Sequence, residues 1–146
     1  MEAEARASFS LMWRWTRATH AQFSAAELAS LRPLPANDAA ALCDKAINDR
    51  AHLQPGERLE VDDDTETQAV TKWLDEVIPP DACELCLVWD RGTAIRLPRD
   101  LFIRRWDDFW YPSSDDLSVL TTDDQWQLEM CHWGSFEISK RATDLE

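Results

Sequence analysis

Three glycines and three histidines in 146 residues leave this chain poor in the raw material of the commonest phosphate-binding and catalytic devices. It has no Gly-rich phosphate loop, no Gly-x-Ser-x-Gly nucleophile elbow and no His-x-x-x-His metal pair. The calcium-loop pattern, with acids at alternate positions around a central glycine and a closing glutamate, is missing as well. No run approaches the roughly 18 apolar residues of a membrane span. The N-terminal MEAEARASFS carries acids where a secretory signal carries bases. The expectation is therefore a cytoplasmic protein, neither exported nor inserted in a membrane.

Basic charge is also scarce, and unevenly so. Residues 1–54 hold six basic and six acidic side chains, whereas residues 55–146 hold nine basic and twenty-two acidic, so the formal charge of -13 belongs to the second part. Such a surface repels phosphate backbones and acidic membranes, which disfavours direct nucleic-acid binding. It steers a basic protein towards itself. The plainer role of the excess acid is to keep a Trp-rich chain in solution.

What the chain does have is core material: 45% hydrophobic residues and eight tryptophans. At this length one core is the default, and global disorder is excluded. Residues 8–17, SFSLMWRWTR, alternate in polarity and predict a strand. Ser24-Ala-Ala-Glu27 is a capping box that opens a short helix ending before Pro33. A second helix is expected from Asn37 or Asp38 to Arg50, its apolar side formed by Ala40, Ala41, Leu42, Cys43 and Ile47. Leu53 to Asp64, with Pro-Gly and three consecutive acids, reads as a connecting loop with at most a short extended piece. Thr65-Glu-Thr-Gln68 repeats the capping-box pattern before a third helix, with Val70, Trp73, Leu74 and Val77 on one face and Pro79-Pro80 as its stop.

From Leu85 strands dominate. Leu85 to Trp89 and Thr93 to Leu97 form a hairpin candidate around Asp90-Arg-Gly92. Pro98 suits the start of a helix with a Leu101, Phe102, Trp106 and Phe109 stripe. Three strands follow, Leu117–Thr121, Trp126–His132 and Phe136–Lys140. The order β-α-α-α-β-β-α-β-β-β describes one α+β domain over residues 1–146. Its N-terminal strand and helical part spans about 8–78 and its strand-rich acidic part about 83–141, with a largely antiparallel sheet and helices on one face.

Cys83-Glu-Leu-Cys86 has the spacing of half a zinc site, and Cys131 with His132 supplies two more ligand types. Neighbours along a strand point to opposite faces, however, and the knuckle glycine is missing, so the four cysteines read as free thiols of a reducing compartment. No cofactor is implied.

The densest feature is Trp106 to Asp116, WDDFWYPSSDD: four aromatic rings and four carboxylates in eleven residues. Trp106 and Phe109 continue the helical stripe and are expected in the core. Asp107 and Asp108 fall at the end of the Pro98 helix, where negative charge opposes the helix dipole unless Arg104 offsets Asp108. That locally unfavourable placement points to a use. Trp110 and Tyr111 beside Asp107, Asp108, Ser113, Ser114, Asp115, Asp116, Asp123 and Asp124 have the chemistry of a partner-binding hot spot with a charged rim. The favoured function is a protein-binding module for a partner with a basic surface. Two alternatives are a small metal-dependent, hydrolase-like enzyme using the Asp cluster and His132, and a structural subunit of a larger assembly.

By class, an acidic, Trp-rich, motif-poor α+β domain resembles the immunity proteins that neutralise bacterial toxins. The block WDDFWYPSSDD followed by WQLEMCH is also similar to a pattern in small bacterial proteins without established activity. The first resemblance implies an inhibitor that occludes a basic partner; neither transfers a catalytic residue.

Overall fold

The computed structural model describes residues 9–17, 22–123 and 125–141. One seven-stranded sheet runs β1 (Arg32–Pro33), β4 (Thr93–Pro98), β3 (Glu84–Asp90), β5 (Leu117–Leu120), β6 (Trp126–Met130), β7 (Ser135–Arg141), β2 (Leu53–Glu60). Every neighbouring pair is antiparallel, giving the expected single-domain α+β class. The β3–β4 hairpin sets Leu87 opposite Ile95 and Leu85 opposite Leu97. Its turn is closed by the Gly92 N–H donating to Asp90 Oδ1 at 2.9 Å.

Period two sorts the side chains. Leu85, Leu87, Ile95, Leu97, Val119, Leu128 and Ile138 join one large core. Over this face lie α1 (Trp13–Thr16), α2 (Ala25–Ala29), α4 (Thr67–Val77), α5 (Arg99–Arg104) and α6 (Trp106–Phe109), contributing Trp15, Val70, Leu74, Phe102 and Phe109. Each such buried side chain is worth about 1.5–3 kcal/mol of apolar transfer. Cys86, Val88, Ala94 and Leu120 face the other way, against Ala39, Leu42 and Cys43 of α3 (Ala36–Arg50). Helices thus cover both faces of the sheet and not one as expected: among the described residues α3 packs on the second face, because the alternation of β3 and β4 puts Cys86, Val88 and Ala94 there to be covered.

From Thr67 onward the chain follows the expected succession of helix, hairpin, helix and three strands. Earlier, four details differ. Residues 9–17 are not a strand: amide-to-carbonyl bonds Met12–Phe9, Arg14–Leu11 and Trp15–Met12 wind them into turns and α1, burying Met12 and Trp15 three apart. The amides of this segment are thereby paired locally and not in a sheet ladder. Leu53 to Glu60, read as loop, is edge strand β2 along β7, with a bulge between Pro55 and Arg58. A Cβ on Gly56 would lie 2.9 Å from the Ile138 carbonyl oxygen, so the bulge needs glycine there. On α3 the inward residues are Ala39, Leu42, Cys43 and Ala46, whereas Ala41 is exposed and Ile47 is 57% exposed. Finally, Thr65 does not cap α4; its hydroxyl closes a turn with Asp62. The Ser24–Glu27 box, by contrast, forms in both directions at 3.1 and 2.9 Å.

Candidate partner-docking site

The helix from Pro98 breaks at Arg105, whose φ of -123° and ψ of 27° leave the helical region. Asp107 and Asp108 therefore sit in the first turn of α6, not at a C-terminus, and the unfavourable dipole placement disappears. Asp107 is exposed and Asp108 half-buried. Asp108 pairs with Arg105 at 3.4 Å, while Arg104 turns to Glu27 at 3.2 Å. Burial and the adjacent Asp107 raise the Asp108 carboxyl against the pull of Arg105.

The aromatic half of the motif is structural. Trp110 is 3% exposed, packs edge-on to Phe136 with centroids 4.8 Å apart, and donates its indole N–H to the Asp115 carbonyl at 3.0 Å. It cannot meet a partner. The freed carbonyls at the end of α6 are taken by other indoles: Trp15 donates to Asp108 O at 2.9 Å and Trp89 to Phe109 O at 3.1 Å. This accounts for part of the tryptophan richness: the rings fill the core while their N–H groups satisfy backbone. Tyr111 is half-buried, with the Arg14 guanidinium 3.9 Å from its ring centroid.

Asp115 and Asp116 have opposite fates. Asp115 is buried and receives both guanidinium arms of Arg14, at 2.6 and 3.1 Å, together with the Tyr111 N–H and the Ser114 hydroxyl. Expected at a charged rim, it instead pins the N-terminal segment to the motif. Asp116 faces solvent. Its Oδ1 accepts the His132 N–H at 2.9 Å and lies 2.9 Å from His132 Nδ1. Those bonds hold its carboxyl below the usual range. Ser113, exposed with a left-handed φ of 74°, donates its N–H to the His132 carbonyl at 2.8 Å. The 113–116 turn is thereby laced to the start of the β6–β7 turn.

That second turn carries the most exposed aromatic. Gly134 N–H donates to Cys131 O, and Gly134 then takes a φ of +99°, as the hairpin loops of this length require. Trp133 is thrust outward, 65% exposed, with its ring edge-on to His132 at 5.0 Å. All seven other tryptophans are buried or half-buried. A groove lies on each side of Trp133. One, of about 300 Å³, is lined by Asp62, Asp63, Pro112, Ser113 and His132. The other, of about 370 Å³, runs between Trp133 and Ile47 over Met130 and Val88, with Asp116 and the Arg50–Glu129 pair at its borders. The two exposed large hydrophobic residues of the described chain, Ile47 and Trp133, thus share one groove.

The other expected chemistry does not converge. Asp123 bonds within its own turn to the Thr121 hydroxyl and the Gln125 N–H. Asp124 lies outside the described residues. All four cysteines are free thiols, with Cys43 on α3, Cys83 exposed before β3, Cys86 buried within β3 and Cys131 at the end of β6. Among the described residues no three His, Cys, Asp or Glu side chains gather as a metal site. Nor is any helix long and apolar enough to cross a membrane.

Fold and surface define an α+β domain whose most prominent exposed feature is an indole on a hairpin turn, bordered by carboxylates. No family model matches the chain, nor does any curated protein or solved structure. Trp133 was missed because Trp-Gly-Ser reads only as a turn; the usable signal is a large apolar residue at a position where turns favour small polar ones.

Proposed function

We propose that this chain is a cytoplasmic protein-binding module that docks a basic partner through the face centred on Trp133, in the manner of an inhibitor or immunity protein. The observation that carries the reading is the 65% exposure of Trp133 between two grooves bordered by Asp62, Asp63 and Asp116. Tryptophan is the residue most enriched at binding hot spots, and acids at the rim suit steering rather than affinity. The four free thiols fit a reducing compartment. Compared with the sequence-based site, the contact moves from Trp110 and Tyr111 to Trp133 and Ile47. Asp116, Asp107 and Ser113 remain available at the surface, while Asp115 belongs to the interior.

The test is retention of the partner. Immobilised wild-type protein should retain a basic protein from its native cell extract, and Trp133→Ala should lose it without unfolding. Asp116→Lys should slow association and flatten its salt dependence. Reversal at Asp115 is the wrong variant, because it strands the buried Arg14 and reports on folding.

A further inference from the structure

We propose that the groove between Ile47 and Trp133 receives an arginine side chain of the partner, its guanidinium stacked on the Trp133 indole and hydrogen-bonded to Oδ2 of Asp116. This rests on the docking reading above and specifies what the partner must present.

The chain builds the same recognition unit twice for its own arginines. Arg14 lies 3.9 Å over the Tyr111 ring while its two arms bond Asp115 at 2.6 and 3.1 Å. Arg105 lies 4.5 Å over the Phe23 ring while bonding Glu27 at 3.1 and 3.3 Å. Each is a flat cation with a ring over its face and a carboxylate bonded at its edge. Trp133 and Asp116 supply the ring and the carboxylate at the border of one groove. Among the described residues no guanidinium lies over that indole.

Three further features select arginine. His132 engages Asp116 through Oδ1, and among the described residues no hydrogen bond reaches Oδ2 of this 68%-exposed side chain. Arg50 is already paired with Glu129 at 3.1 Å, which leaves Asp116 as the carboxylate offered at that mouth. Ile47, 57% exposed on the groove wall, suits the methylene stem of a long side chain. A guanidinium stacks on an indole and sheds water more readily than an ammonium, and tryptophan gives the strongest such contact.

The probe is acetyl-Gly-Arg-Gly-amide, titrated to about 50 mM into the uniformly ¹⁵N-labelled full chain while the indole N–H signals are followed. Trp133→Phe identifies the Trp133 signal. The lysine and citrulline counterparts run in parallel. The expected result is a saturable shift of the Trp133 signal alone, with buried Trp106, Trp110 and Trp126 unmoved. It should be several-fold weaker with lysine, lost with citrulline, and lost in Asp116→Asn. No shift with arginine, or an equal shift with citrulline, overturns the proposal. A native partner that needs Trp133 while the arginine probe does nothing leaves the docking reading standing and overturns only the arginine. A partner retained equally by Trp133→Ala overturns the docking reading itself.

Discussion

Arg14 and Asp115, 101 residues apart in sequence, form a buried two-armed ion pair at 2.6 and 3.1 Å. The pair locks the N-terminal segment over the WDDFWYPSSDD block. It is demanding: Arg14 Nε is buried and finds no partner among the described residues, and an unmade buried bond costs about 1–3 kcal/mol. Desolvation of both charges offsets much of their attraction, so the pair adds little net stability over an apolar replacement of the same shape.

Breaking only one side of it strands a buried charge. Asp115→Asn should cost about 3–5 kcal/mol in urea unfolding. Adding Arg14→Met should recover much of that loss. A double variant no better than Asp115→Asn alone would show that the carboxylate matters through Tyr111 and Ser114 instead.

Tryptophan truncations should split sharply. Trp110→Ala removes a ring that is 3% exposed and should cost about 3–5 kcal/mol. Trp133→Ala should stay within about 0.5 kcal/mol of wild type, as surface changes do. Comparable losses at both positions would mean that Trp133 is packed.

Gly134 sustains the turn that projects Trp133. With φ at +99° and the Val61 carbonyl oxygen 2.0 Å from the site of a Cβ, Gly134→Ala should cost about 1–3 kcal/mol in backbone strain alone, and more where β2 is pushed away. Amide exchange at Val61, whose N–H donates to Gly134 O at 2.7 Å, should rise first.

Glu129 sets a pH dependence. Burial raises its carboxyl above 4.5, opposed by Gln127, Arg50 and Ser118. A raised folded-state value means the folded chain prefers the protonated form. That contribution is complete below pH 4.5 and is lost as pH rises through the folded value. Glu129→Gln should flatten the fall in unfolding free energy over this window. An unchanged slope would assign the titration to another group.

Legibility in the sequence followed the physics of each element. The β3–β4 hairpin, the α4 face and the C-terminal strands were readable because period and turn residues agree there. Residues 9–17 misled because Phe9, Leu11, Trp13 and Trp15 alternate, yet Met12 and Trp15 are the pair buried, at helical spacing. Leu53 to Glu60 hid as a strand because Pro55 and Gly56 occupy an edge bulge, where both are tolerated. At the site, Asp116 was readable as an exposed acid. The inward turn of its neighbour was not, since Arg14, which draws Asp115 in, sat on the supposed polar face of a strand.

In the proposed docking Trp133, and not Trp110, meets a basic partner. Parallel capture from the native cell with wild-type protein and Trp133→Ala, quantified by mass spectrometry at low and high salt, tests it most directly. The expected result is a basic protein enriched by wild type, depleted by the substitution and released as salt rises. Equal enrichment by the folded Trp133→Ala variant would contradict it.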